Sequence, residues 1–380
     1  MGGVGQGPPR GLQAASSRGG ESLRIAQLTY TALPPRGGQD AYVLDLKGTL
    51  EAEGHEVVIL QARRGEGEAM EVSPLFGRWF PFWGAAAALP LKWGALKEFD
   101  LLICHYSPYL LPVAWHRRTV LLSHGITWDD RPLSPRSLAK RVLDLMAFRV
   151  AWAVVANDTN FLRAMGVRIR PGEGAFTEVA PRVYFVPNCV DVGLFKPADP
   201  DPEISSLGRV ILVPRHLYRN RGIHLAVEAF SLLAGEKKDL TLVVVGGEGE
   251  PGYVRYVKSL VSRLGLEGRV FFLPPRPRGK MPAVYSAALL TLVPSLAGEG
   301  TSLSALESMA CGTPVVATSV GGLLDLPCLH APPSPKGLAR AIERALGERE
   351  SLARKQREAV LSSFTIERWR EAWLQIVKSV

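Results

Sequence analysis

"LRIAQLTYTALPPRGGQDAYVLDLKGTLEAEGHEVVIL" (23–60) opens the ordered part of the chain and decides its fold class. "LRIAQLTY" (23–30) is an apolar run of strand length, and "PPRGGQ" (34–39) breaks it with turn residues. "DAYVLDLKGTLEAEGH" (40–55) has helical periodicity, and "EVVIL" (56–60) is a second strand. The unit is β–loop–α–β. Further apolar strands stand at "DLLICHY" (100–106), "TVLLSH" (119–124), "AWAVVAN" (151–157) and "VYFVPN" (183–188), with helical patterns between them. Apolar strands alternating with helices imply a parallel sheet covered on both faces.

The composition then changes. "DVGLFKPADPDPEISS" (191–206) has three prolines and little apolar periodicity, and it reads as a linker. After it the opening pattern returns: "RVILVP" (209–214), the loop "RHLYRNRG" (215–222), the helix "IHLAVEAFSLLAG" (223–235) and the strand "LTLVVVGG" (240–247). "RVFFLPP", "ALLTLVPS" and "PVVATS" supply more strands, and "SSFTIERWREAWLQIVKSV" (362–380) closes the chain as helix. The expected division is a disordered tail (1–22), a first domain (23–190), the linker (191–206), a second domain (207–360) and a C-terminal helical segment (361–380). The fold class is α/β: two Rossmann-like parallel-sheet domains with a cleft between their strand C-termini, where open parallel sheets place ligands.

Composition narrows the function less. The net charge of +9 is diffuse, with 21 Lys+Arg against 17 Asp+Glu in residues 1–190 and 24 against 19 in residues 191–380. A nucleic-acid binder shows a more concentrated basic face, so none is expected as partner. The four cysteines (Cys104, Cys189, Cys311, Cys328) form no CxxC pair, which argues against structural zinc and a disulfide framework. The expectation is a cytoplasmic protein, peripheral at most on a membrane. "LFGRWFPFWGAAAALPLKWGALK" (75–97) mixes aromatic and basic residues, and reads either as core helix and acceptor-side loop or as a membrane contact.

Four loops at strand C-termini carry candidate chemistry. Gly37 and Gly38 precede a helix, as an ordinary turn or an anion cradle. His124 follows "TVLLS" and faces the cleft, either as a structural histidine or as a donor to a substrate hydroxyl. Arg215 and Arg221 flank a helix start, where cations oppose the dipole unless an anion lies between them; a phosphate is the economical account, solvent-facing arginines the plain one. "EGTSLSALESMACGTPVVAT" (299–318) places Glu299, Gly300, Thr301 and Ser302 at another helix N-terminus, whose amides suit a second set of phosphate oxygens. Within that helix Glu307 falls in the apolar stripe of Leu303, Leu306, Met309 and Ala310, so its carboxylate needs a partner from protein or ligand. "GEGEPG" (247–252) fits G-x-G-x-x-G, but it lies mid-chain and lacks the acidic residue at the end of the next strand. No cluster suggests a metal, since Asp199-Pro200-Asp201 sits in the linker.

In this order the loops resemble the GT4-type retaining glycosyltransferases with the GT-B fold, from residue 23 onward. Glu299-x7-Glu307 followed by "SMACGTPVVATSVGG" is similar to that family's E-x7-E region, and "PNCVD" (187–191) to its domain junction. The resemblance implies that Glu307 holds ribose hydroxyls of a nucleotide-sugar and that Glu299 and His124 lie by the donor sugar. It implies that Arg215, Arg221, Gly38 and the Gly300–Ser302 amides hold the diphosphate. It also implies a C-terminal helix returning to the first domain, no metal or cofactor, and a glycan, lipid-linked or small-molecule acceptor. Arg221 stands where Lys is usual, Cys189 replaces a junction glycine, and Ser302 replaces a frequent glycine. The rivals are an epimerase on the same fold and an inactive sugar-nucleotide-binding subunit.

Overall fold

The computed structural model describes residues 22–33, 37–62, 70–71, 81–129, 133–172, 174–247 and 249–379. The expected tail, apart from Ser22, and the "PPR" of the first loop lie outside these residues. The first domain begins with β1 (Arg24–Thr29), α1 (Gly38–Ala52), β2 (Glu56–Gln61), β3 (Met70–Glu71), α2 (Pro81–Ala88) and α3 (Trp93–Leu96). It continues with β4 (Leu101–Cys104), α4 (Ser107–Leu110), β5 (Thr119–Ser123), α5 (Pro135–Val150) and β6 (Ala153–Ala156). It ends with α6 (Thr159–Ala164), β7 (Thr177–Ala180) and β8 (Val183–Phe185).

The second domain runs α7 (Pro202–Ser205), β9 (Arg209–Val213), α8 (Ile223–Ala234), β10 (Leu240–Val245), α9 (Pro251–Arg263) and β11 (Val270–Leu273). Then come α10 (Met281–Ser286), β12 (Leu290–Val293), α11 (Leu303–Ala310), β13 (Val315–Thr318) and β14 (Leu329–Ala331). Three helices close the chain: α12 (Pro335–Gly347), α13 (Arg349–Ser363) and α14 (Ile366–Ser379).

The two sheets share one plan. The first has strand order β3-β2-β1-β4-β5-β6-β8-β7 and the second β11-β10-β9-β12-β13-β14. Every pairing is parallel except β7 with β8. In both domains the order reverses beside the first strand, between β1 and β4 and between β9 and β12, the point where doubly wound sheets open a crevice. Sequence reading found every long strand. It missed β3, β7 and β14, which have two to four residues and lie at or near sheet edges. The linker contains one short helix, α7, capped by Asp201 Oδ1 accepting from Ile204 N at 3.2 Å.

The closing helix belongs to the first domain's core. Trp369 and Trp373 of α14 are buried with Tyr42, Leu46 and Leu50 of α1 and with the inner residues of the first sheet. Trp373 Nε1 donates to Tyr42 Oη at 2.8 Å, which lets a large ring be buried without losing its polar atom. The chain therefore crosses between domains twice, and the crossings run side by side. Val190 N donates to Phe364 O at 2.9 Å, and Ile366 N to Val190 O at 3.1 Å. Of the aromatic stretch 75–97, residues 75–80 are outside the described set. In the remainder Phe82 packs among Tyr30, Tyr106 and Tyr109, whereas Trp83, Leu91 and Trp93 are exposed. Among the described residues no helix is long and apolar enough to cross a membrane.

Candidate active site

The second domain's switch point gathers the charged residues. Arg215 lies two positions beyond β9, and Glu299 lies on the loop between β12 and α11. The Glu299 side chain is 5% exposed, and its Oε1 accepts from Arg215 Nη2 at 2.9 Å. Oε2 accepts from Ser295 Oγ at 2.9 Å and pairs with Arg221 Nη1. Burial works against this carboxylate, but the charges of Arg215 and Arg221 outweigh it and hold its pKa below the ordinary value. The expected phosphate-facing arginines thus converge on an internal anion, a pairing that sequence reading did not anticipate. Arg221 remains 30% exposed beside it.

Ser302 precedes α11 and could accept from that helix's own amides. Instead its hydroxyl accepts from Arg215 Nη2 at 2.7 Å, and no side chain caps the helix. The N-terminal amides of α11 therefore stay open toward an anion, next to two guanidinium groups. Gly300 and Thr301 also join the two domains. A Cβ on Gly300 would come within 2.7 Å of Asn157 Oδ1 and of the His124 carbonyl, so only glycine allows the first domain this close. Thr301 Oγ1 donates to Asn157 O at 2.9 Å and accepts from Asn188 N at 2.7 Å. Thr301 is a bolt between domains, and its side chain is engaged there.

Glu307 has a protein partner. Its Oε2 accepts from the buried Tyr285 hydroxyl at 2.8 Å, while Oε1 lies 4.0 Å from Arg278 Nε. Burial raises its pKa to about 7, against the lowering effects of Tyr285 and Arg278. One oxygen is occupied and the other is available to a ligand.

The first domain contributes histidines. His124 Nε2 lies 2.9 Å from His105 Nδ1, and His105 Nε2 lies 2.9 Å from Gln27 Oε1. Gln27 Nε2 donates to Val43 O at 3.1 Å, so its oxygen must be the acceptor for His105. His105 then carries its proton on Nε2 and offers Nδ1 to the Nε2–H of His124. Burial lowers both pKa values, that of His124 to about 3, so both rings are neutral. His124 keeps its lone pair on Nδ1 and is a hydrogen-bond acceptor there. With its Nε2–H engaged by His105, His124 would meet a substrate hydroxyl as an acceptor.

The remaining glycines differ from each other. Gly37 N donates to Asp40 Oδ2 at 3.2 Å, so this amide is already engaged by a carboxylate, as in an ordinary capped turn. Gly38 faces across the cleft, where an added Cβ would come within 2.7 Å of Leu303 Cδ1 at the start of α11. The G-x-G-x-x-G match is resolved as packing. A Cβ on Gly249 would lie 1.9 Å from Leu217 O, so that glycine lets the Arg215–Leu217 loop close over β10.

Sequence reading missed Gln27, His105, Tyr285 and Arg278. His105 obeys the rule that found His124, since it directly follows an apolar parallel strand. Tyr285 and Arg278 have no local signal; they meet Glu307 only through the fold. Among the described residues no group of three or more His, Cys, Asp or Glu is placed to hold a metal ion.

The chain is similar to the D-inositol 3-phosphate glycosyltransferase of Acidothermus cellulolyticus, at 38% identity over 37% of this chain and 34% of that one. This stretch is about a third of the relative's length. With the protein of the same name from Corynebacterium efficiens the identity is 25%, over 80% of this chain and 79% of that one. Among solved structures, Anabaena HepE in complex with UDP-glucose superposes with a TM-score of 0.71 at 21% identity, over 94% of this chain and 100% of that chain. The Glycosyltransferase Family 4 description matches residues 36–194, and Glycosyl transferases group 1 matches residues 198–360. One family half fits each domain, and the chain belongs to the GT4-type glycosyltransferases of the GT-B fold.

Proposed function

We propose that this protein transfers a hexose-type sugar from a nucleoside diphosphate donor to an acceptor hydroxyl, with retention at the anomeric carbon. The observation that carries the reading is the convergence of Arg215 and Arg221 beside the uncapped N-terminus of α11, with the Glu307 carboxylate further along that helix. The diphosphate lies against the guanidinium groups and the helix amides, and the ribose hydroxyls donate to the free oxygen of Glu307. Transfer breaks the bond from the anomeric carbon to the phosphate oxygen and forms one to the acceptor oxygen on the same face. The acceptor proton passes to the leaving phosphate, whose charge is offset by the Arg215–Arg221–Glu299 cluster, net positive by one, together with the α11 amides. HepE, with UDP-glucose bound, supports a nucleotide-sugar as donor. The acceptor is a glycan, a lipid-linked molecule or a small molecule.

The test is a thermal-shift screen against UDP-, GDP-, ADP- and TDP-glucose with and without EDTA, followed by product analysis with the stabilising donor. Stabilisation by one donor, kept in EDTA and lost in Glu307→Ala, is expected, with a product of retained anomeric configuration. Stabilisation without any transferred sugar would move the protein to a binding role, and an isomerised donor would make it an epimerase.

A further inference from the structure

Helix α5 turns much of its apolar surface outward. Its inner side holds Asp144, which accepts from Ser107 Oγ at 2.6 Å and from Trp128 Nε1 at 2.8 Å, with Ser137 and Ala147 buried and Phe148 packed against the core. Leu138, Val142, Met146 and Val150 recur every fourth residue, and each is between 46% and 53% exposed. At about 100° per residue these four form one stripe along the helix, and it is the solvent-facing one. A surface helix ordinarily buries such a stripe.

The feature extends beyond one helix. Of fourteen exposed large hydrophobic residues among those described, eight lie between residues 81 and 150, including Trp83, Leu91 and Trp93 of the α2–α3 segment. Helices α2, α4 and α5 cover the same face of the first sheet, opposite α1 and α14. Clustering on one layer separates this patch from the scattered apolar residues that any surface carries.

Charge selects the occupant. Arg136, Arg141 and Arg149 are exposed on α5 around the stripe, and the helix's single acid, Asp144, is turned inward. Two copies packed through this face would bring like charges together, whereas an anionic bilayer surface offers both apolar depth and opposite charge. The helix has sixteen residues, so it lies about 24 Å along such a surface. The same layer reaches the cleft: Phe82 of α2 stacks on Tyr109 at 5.0 Å and meets Tyr30, next after β1, at 5.7 Å.

We infer that the outer face formed by α5 and the α2–α3 segment docks the protein on an anionic lipid surface. Docking holds the acceptor side of the cleft against the headgroups. This inference is independent of donor identity, and its test uses neither donor nor acceptor.

The experiment is flotation of the full chain with vesicles of phosphatidylcholine alone or with about 30% phosphatidylglycerol, at low and high salt. The expected result is binding to the anionic vesicles only, weakened by salt, and reduced at least about tenfold in the double variant Val142→Glu, Met146→Glu. Both positions are solvent-exposed, so the variant should keep the wild-type melting temperature, which is measured alongside. Absence of binding to anionic vesicles, or equal binding by the variant, overturns the inference. A lipid-free dimer in sedimentation velocity that the double variant abolishes would assign the face to a second copy, and also overturns it.

Discussion

Glu307 shows how one buried carboxylate ties folding to binding. Burial raises its pKa to about 7, so the folded, ligand-free protein favours the protonated form. That contribution to stability is complete below the unfolded value near 4.5 and is lost as pH rises through about 7. A ribose hydroxyl needs the ionised form, so binding has the opposite sign. Affinity for the nucleotide-sugar, whose diphosphate has no proton titrating in this range, should rise roughly tenfold between pH 6 and pH 8, and titration calorimetry should find Glu307→Gln weak and flat. An equal slope in that variant would remove Glu307 from the site. His124 supplies a second check at this scale. Its ring should stay neutral from pH 5 to pH 8, with Nδ1 unprotonated in nitrogen-detected NMR, because burial holds its pKa near 3. A titration centred near the ordinary histidine value would break the Gln27–His105–His124 chain.

Among the elements, the loops after β9 and β10 interlock. Gly249 has no room for a side chain, because a Cβ would sit 1.9 Å from Leu217 O. Gly249→Ala should cost about 1–3 kcal/mol by overpacking and should weaken nucleotide binding, since Leu217 shares its loop with Arg215. Chemical denaturation and calorimetry report the two effects separately, and wild-type values in both would dismiss the packing account. The elements also show what a sequence displays. Strands β9, β10 and β12 are legible because they are buried on both faces and so read as unbroken apolar runs. Glu307 is legible because a carboxylate in an apolar stripe demands a partner, and Glu299 because it stands just before the same helix's N-terminus. What stays hidden is the partner. Tyr285 reaches Glu307, and Glu299 reaches Arg215, across separations set only by strand order. The dual meaning of Gly300, helix-end amide and domain contact, emerges only when Asn157 is brought beside it.

For the whole molecule, the question is what holds two domains around an open crevice. Asp325, 4% exposed in the second domain, accepts from Thr159 N at 2.7 Å and from Thr159 Oγ1 at 2.6 Å at the start of α6. Asp325→Ala strands the Thr159 amide and should cost about 1–3 kcal/mol. It should also enlarge the radius of gyration in small-angle scattering, with unchanged dimensions arguing that other contacts set the closure. The returning helix α14 has a consequence for biosynthesis. Trp369 and Trp373 fill the first domain's core, yet they are made only after the whole second domain. On the ribosome the first sheet must wait, with α1 uncovered, while the whole second domain emerges and folds ahead of it. The order of synthesis and the order of completion are inverted, and the nascent first domain is the part that calls for chaperone cover.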